Sequence, residues 1–447
     1  MRPLLYLVAC AALLAVGGCA KESQRPVATG KANIRAINSI PGSPPIQFLI
    51  ESRSLGGVDY KSTSSTARYD DLSYTFNFEA VLAGDTTRTR VASYPLDVVA
   101  DMDYTFLIGG ALDAPTITLW EEPATTFTGD EDTLSLRIGH TAQSLGDVDV
   151  YFGPPGTVPV AGTAIGTLSY GEYLPPMDVT EGDYVLTYTP AGDPNTILFE
   201  SNMLTLLKQT TRLLTIFDAD ENDTSPWSVR IINLDVGSSG IVADANYPST
   251  ARFIQASINF ADSDIYDDDP FTTPIVAGHT FRDDTGDIPV PTGTVPITYT
   301  TAGDTSMLLI DVDRDIPAGT HQLYVVANVA GTDVLISSTP DRRSISTLAR
   351  LSIMNTASNF DGLDVYLVTT GTSIDDVSPL LFGLTPGLTP IQIPVAANDY
   401  EVYVTIAGEK TVVAGPIPLS AQLGGVYFGI VYDTTDPAVA DFEFIPP

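Results

Sequence analysis

Two clusters of oxygen-bearing side chains are the first places in this sequence where chemistry could reside. In DADEND, Asp218, Asp220, Asn222 and Asp223 offer oxygens at nearly alternate positions, and further on Asp262, Asp264, Asp267, Asp268 and Asp269 crowd together. Hard oxygen donors at short spacing are what Ca²⁺ takes, so both are candidate Ca²⁺ sites, the first as a clip between domains. An EF-hand is excluded: the sixth position from Asp218 is not glycine, and Val229 stands where the bidentate glutamate belongs. The competing explanation is solvated surface charge. Catalytic constellations are harder to find. His140, His279 and His321 have no metal-ligand spacing, and the chain has no G-x-S-x-G elbow and no phosphate-binding glycine loop. Pairs of carboxylates can be imagined anywhere among 55 acids, so they do not argue for glycoside hydrolysis. The expectation is a protein that is not an enzyme.

The cysteines point to a different chemistry. There are two, Cys10 and Cys19, and Cys10 lies inside an apolar run from Leu4 to Val16. That run is 13 residues, short of the about 20 a bilayer-spanning helix needs, so residues 1–18 read as a secretory signal. The exit, Val16-Gly17-Gly18-Cys19, resembles the lipobox of bacterial lipoproteins, which implies lipid attachment at Cys19. Acyl chains contribute about 0.8 kcal/mol per buried CH₂, enough to hold a protein on a membrane with no spanning helix. Ala20 rather than aspartate follows the cysteine, and the expected location is the outer membrane, facing the periplasm or the cell surface.

Composition narrows the partners. The chain of 447 residues carries 55 acids against 21 bases, a net charge of −34, which repels nucleic acid phosphates and anionic headgroups. Nucleic acid is therefore excluded, and the membrane is reached only through the lipid. The 33 prolines and 36 glycines are scattered among β-branched and aromatic residues, and an apolar content of 44 % is enough to fill several cores.

The elements that must position any site recur. LAGD (82–85), PAGD (190–193), TAGD (301–304) and IAGE (406–409) repeat one phrase at steps of 108, 111 and 105 residues, counted on the alanine. Other landmarks accompany it. Opening strands read NIRAIN (33–38), LRIGH (136–140), VRIIN (229–233) and LSIMN (351–355), and aspartate-led strands read DVYF (149–152), DIY (264–266) and DVYL (364–367), with IQFL (46–49) as a weaker first copy. A later strand reads DYTFLIG (103–109), RLLTIFD (212–218), HQLYVVA (321–327) and VYFGIVYD (426–433). Period-two segments separated by Gly, Pro and Asp turns predict an all-β fold of four tandem immunoglobulin-like β-sandwich domains. The glycine of the phrase would supply positive φ in a hairpin turn, and the acid after it would bond the turn's backbone.

The stretch 147–193, from DVDVYFG through LSYGEYLPPMDVTEGDYVLTYTPAGD, is similar to the bacterial envelope family of domain of unknown function 4397. That family carries an R-[VI]-x-N opening strand, a DVY strand, an LxYGxY segment and a glycine-aspartate-led hairpin. Copy four keeps DVYL and the hairpin but has FGLTPG (382–387) in place of YGEY, and copies one and three diverge further. The resemblance implies secreted or lipid-anchored repeat proteins with an immunoglobulin-like fold and no established activity.

The landmarks place a lipidated tether at 19–32 and sandwiches at 33–128, 134–217, 227–339 and 348–447, with short linkers that predict a rod. Copy three departs from the others: 33 residues separate Asn233 from Tyr266, against 11 in copies two and four, which implies an insertion over about 234–262. Long loops on a repeated scaffold are favoured places for binding. The expected function is adhesion or scaffolding by a non-catalytic envelope lipoprotein, with a protein or glycan partner. The alternative is a carbohydrate or small-ligand binding module serving a neighbouring uptake or degradation system. Trp120 and Trp227 fall near domain ends, where packing rather than glycan stacking is expected of them.

Overall fold

The opening strand Lys31–Asn38 shows why these sequences become strands. Ala32, Ile34 and Ala36 enter a sandwich core, while Ile37 joins a second apolar cluster on the other face. That is the period-two arrangement of a pleated strand. In Met102–Ala111, Tyr104, Phe106 and Ile108 face the same core and Leu107 the same second cluster. A computed structural model describes residues 27–268 and 271–446, and among these it contains strands, turns and loops but no helix. The signal segment, Cys19 and Asp269 lie outside the described residues.

Eight strands form each repeat. In the first they are Lys31–Asn38, Ile46–Ile50, Arg53–Val58, Ala67–Asp70, Ser73–Val81, Arg88–Asp97, Met102–Ala111 and Ala114–Pro123. Numbered in this order, they make one sheet 4-1-7-8 and another 3-2-5-6. The same two orders recur in the other three repeats, and in all four the first strand pairs parallel with the seventh. The second repeat adds two variations. Its sixth strand is split into Phe199–Glu200 and Leu204–Leu206, and a ninth strand, Ser238–Val242, extends the 4-1-7-8 sheet. The expected class, all-β with four tandem sandwiches, is what the chain forms. The sandwiches are immunoglobulin-like in architecture. Their strand order, with a parallel pair at the sheet centre, differs from the 1-2-5-4 over 3-6-7 order of immunoglobulin constant domains.

Apolar burial closes each sandwich, since both cysteines precede the described residues. The first core is aromatic: Phe76 and Phe106 lie 4.6 Å apart between centroids, and Phe48 stacks on Phe78 at 5.3 Å. Burying each such ring contributes about 1.5–3 kcal/mol.

One segment belongs elsewhere than the landmarks suggest. Trp227–Asn233 pairs antiparallel with residues 212–218 along its whole length, so VRIIN is the eighth strand of the second sandwich and not the first strand of the third. The third sandwich opens with Thr250–Gln255, which runs parallel to His321–Val329. From Gln255 to Tyr266 is 11 residues, the spacing of copies two and four, and the insertion over 234–262 disappears. Residues 234–249 instead carry the extra edge strand of the second sandwich and the connection onward. The segment 218–226 is accordingly a hairpin connection inside that sandwich rather than a linker. The physical cause of the misreading is that Gln255 fills the role of the asparagines with a different side chain. Asn38, His140, Gln255 and Asn355 each end a first strand and accept a hydrogen bond from the backbone N–H two residues on, at 2.9–3.3 Å.

The second faces of the 4-1-7-8 sheets explain why these strands are apolar on both sides. Ile37, Tyr60, Leu107 and Trp120 of the first sandwich pack on Leu213, Phe217, Ile232 and Leu234 of the second. Ile254, Leu323 and Val325 of the third pack on Met354, Phe428, Ile430 and Tyr432 of the fourth. Sheets buried on both faces read as continuous hydrophobic runs. The modules therefore join in back-to-back pairs, one and two, three and four, in place of the expected rod. Trp120 lies in the first of these seams and Trp227 against the second core, both as packing residues.

Candidate functional site: the junction at the 218–226 hairpin

The repeated phrase and the aspartate-led strand prove to be two halves of one device. Asp264 accepts hydrogen bonds from the N–H groups of Gly278 and Gly303, each at 2.8 Å. Asp364 does the same for Gly383 and Gly408, at 2.7 and 2.8 Å, and Asp149 accepts from Gly192 at 2.8 Å. Gly192, Gly303 and Gly408 are the glycines of the phrase, with φ of +80°, +75° and +76°. A residue with a Cβ adopts that conformation only at a cost. Asp193 and Asp304, which follow the glycine, bond N–H groups two residues on at 3.1 and 3.0 Å. The first copy has Gln47 in place of the aspartate, and its side chain bonds Ser54 instead.

Among the described residues the second acidic cluster is therefore not assembled around a common point. Asp264 holds two turns, Asp267 is pushed up by burial, and Asp268 bonds the Thr272 hydroxyl. Among the described residues no group of three or more acidic, histidine or cysteine side chains is disposed to hold a metal ion.

Two members of the first cluster, Asp220 and Asp223, are brought together, but around cations of the protein itself. Asp218 accepts from the N–H groups of Gln143 and Ser144, at 2.8 and 3.1 Å, so it fastens a loop of its own sandwich. Asp433 does the same for Ser358 and Asn359 in the fourth copy. Asp220 and Asp223 both contact the Lys61 ammonium of the first sandwich, Asp220 at 2.8 Å, and all three side chains are at most 8 % exposed. Asp223 also takes Arg230 at 3.2 Å and the Ser228 hydroxyl at 2.8 Å. Burial works against its charge, but Lys61 and Arg230 outweigh this and hold its pKa below the ordinary aspartate value. Asn222 faces the other way, donating to Asp341 at 2.7 Å and accepting from the Arg342 N–H at 2.6 Å.

That hairpin is a hub. Its Asp223 carbonyl lies 3.2 Å from His321 Nε2 of the third sandwich, Glu221 accepts from the Ser344 N–H at 3.0 Å, and Tyr60 donates to the Asp218 carbonyl at 2.7 Å. The 339–348 connection is held from several sides. Asp341 pairs with Arg350 at 2.7 Å and Arg343 at 3.2 Å, and Ser346 N–H reaches the Gly42 carbonyl of the first sandwich at 2.8 Å. Despite its burial, Asp341 is held far below the carboxylate range by these partners. The sequence reading missed Lys61 and Asp341. The available signal for Lys61 was rarity, since it is one of five lysines in the chain. It also stands at φ +60°, uncommon for a residue other than glycine.

The histidines are structural. His140 accepts from Ala142 N–H at 3.3 Å and lies 2.9 Å from the Gly146 carbonyl, the arrangement of a neutral ring, and burial lowers its pKa. His279 is buried and likewise lowered. His321 reaches the Thr250 hydroxyl at 2.6 Å.

Among the cavities between modules, two bear on the hub and the seams. One of about 220 Å³ sits beside the hub and is lined by Lys61, Arg230 and Arg343 with Asp59, Asp220 and Asp341. The other, about 240 Å³, opens in the seam between the third and fourth sandwiches.

The class defined by this architecture is a tandem array of eight-stranded β-sandwiches. Residues 32–151 match the family model described as Domain of unknown function (DUF4397), and the chain resembles that family. The matched segment spans the first sandwich and runs into the second strand of the second, so it meets the 147–193 motif text only at its end. No curated protein matches the chain. A solved structure described as "The Bacillus anthracis TIE protein" is 11 % identical over 91 % of this chain and 69 % of its own, with a TM-score of 0.15, too low to carry an argument.

Proposed function

We propose that this protein is a non-catalytic envelope lipoprotein, anchored through Cys19, whose four sandwiches form a stiff scaffold or adhesive body. One observation carries the reading: the buried and half-buried polar side chains of the hub bind module to module. Lys61 with Asp220 and Asp223 joins the first sandwich to the second, and Asn222 with Asp341 and Arg342 joins the second to the connection between third and fourth. A body fixed in this way suits holding a surface at a set place outside a membrane. Ca²⁺ has no part in the proposal, because Lys61 supplies the positive charge at the first acidic cluster.

Two experiments test it. Labelled palmitate should enter the wild-type protein and not Cys19→Ser; label in both, or in neither, overturns the anchor. Deletion of the gene should reduce cell attachment or aggregation, and complementation with the full chain should restore it. Attachment and aggregation unchanged by deletion overturn the adhesive role.

A further inference from the structure

The four first strands place a side chain on the seam three residues before their terminal Asn, His or Gln. In three repeats it is arginine: Arg35, Arg137 and Arg252, all buried. In the fourth it is Ser352, and Ser352 lines the cavity of about 240 Å³ between the third and fourth sandwiches. The cavity thus occurs where the repeat replaces its longest side chain with one of its shortest.

We propose that this cavity is a binding site for a small organic carboxylate with a compact apolar body. Its volume is below the about 300–1,000 Å³ of sites for drug-sized molecules, which limits the occupant to something of benzoate or hexanoate size. Leu323, Val426 and Phe428 supply apolar wall, which suits the body of such a ligand. The polar end is set by two arginines. Arg252 Nε donates to Asp284 at 2.7 Å, Nη2 bonds the same carboxylate and Nη1 reaches the Pro446 carbonyl, so three of its five N–H donors are engaged. Arg342 grips Asp287 with both terminal nitrogens, its Nη2 at 2.9 Å, which fixes the plane of the group. Its Nε is buried and has no hydrogen-bond partner among the described residues, and each terminal nitrogen keeps a second N–H that Asp287 does not take. A buried donor without an acceptor is costly, and a charged one costs more. Asp341, the acid on the wall, is already neutralised by Arg343 and Arg350. A carboxylate oxygen at the Arg342 N–H groups that Asp287 leaves free would make a charge-assisted bond, and the ligand's body would occupy the space that Ser352 leaves.

This inference does not rest on the scaffold or adhesive role, and its test is separate. Benzoate, hexanoate and acetate are titrated calorimetrically into the full chain up to about 10 mM, where even a millimolar site would be filled. The expected result is saturable heat and a raised unfolding midpoint with benzoate or hexanoate, at least about tenfold weaker with acetate. Ser352→Leu, which fills the cavity and leaves the ion pairs in place, should abolish the heat while the unfolding midpoint without ligand is kept. Ser338→Leu, also on the wall, serves as the second filling variant should the first not fold. Absence of saturable heat with both larger acids overturns the proposal. So does binding that survives in a folded filling variant, or acetate binding as tightly as benzoate.

Discussion

The seam between the first and second sandwiches and the seam between the third and fourth join the same faces of the same fold, yet they are sealed differently. In the first, Arg137 crosses to Glu122 and Arg35 pairs with Asp103 at 3.3 Å, with all four side chains largely withdrawn from water. Trp120 packs tilted against Tyr173 at 4.8 Å between ring centroids and donates to the Gly171 carbonyl at 2.7 Å. In the second, Arg252 pairs inside its own sandwich with Asp284, and the charged bridge between modules is Arg282 to Asp441, on the outside. Buried charges hold a seam only when every partner is present, whereas exposed ones contribute little. One topology therefore yields a closed joint and a joint with room in it, according to which side chains stand three residues before the end of the first strand.

The largest expected effect lies in the closed seam. Arg137→Ala leaves Glu122 without its counter-charge and should lower stability by about 3–5 kcal/mol in urea unfolding; a loss below 1 kcal/mol would erase the distinction between the seams. Lys61→Ala, at the hub, should cost about 3 kcal/mol at neutral pH and also change the response to acid. Asp223 has a folded pKa below its ordinary 3.8, so its contribution is full above that value and is lost as pH falls through the folded one. Without Lys61 the fall in midpoint between neutral and acid pH should shrink; an unchanged acid limb would contradict the pairing. Asp264→Ala strands two glycine N–H groups and should cost about 1–3 kcal/mol, while Gln47→Ala at the matching position of the first sandwich should stay within about 0.5 kcal/mol. The smallest effect is expected on the open seam: Arg282→Ala should change stability by no more than about 1 kcal/mol, since Asp441 is exposed and Arg282 only half-buried.

Much of the fold could be read from residue order because it rests on local rules. The AG[DE] turns, the aspartate-led strands and the seventh strands all stand where alternation and turn chemistry place them. What escaped were features set by residues that meet from far apart in the sequence. VRIIN satisfied the opening-strand pattern letter for letter, and only its pairing with Thr211–Asp218 shows that it closes one sandwich instead of opening the next. Counting back 11 residues from Tyr266 to Gln255 would have found the true start, had the amide of glutamine been granted the role of asparagine's. The acidic run DADEND was visible as a cluster, but the cation it meets stands 159 residues earlier at Lys61, a separation no local pattern encodes. The glycine-aspartate bonds were likewise visible as two motifs and not as one, because their union spans a whole hairpin.

The parallel pairing of first and seventh strands also sets a timetable. Ile34 lies beside Tyr104, so the strand that leaves first has no central neighbour until some seventy residues more have emerged. Distant pairings of this kind are slow to form and leave an unmatched edge meanwhile. Each module must wait for nearly its full length before it can close, and the first gains its lysine's partners only after most of the second has been made.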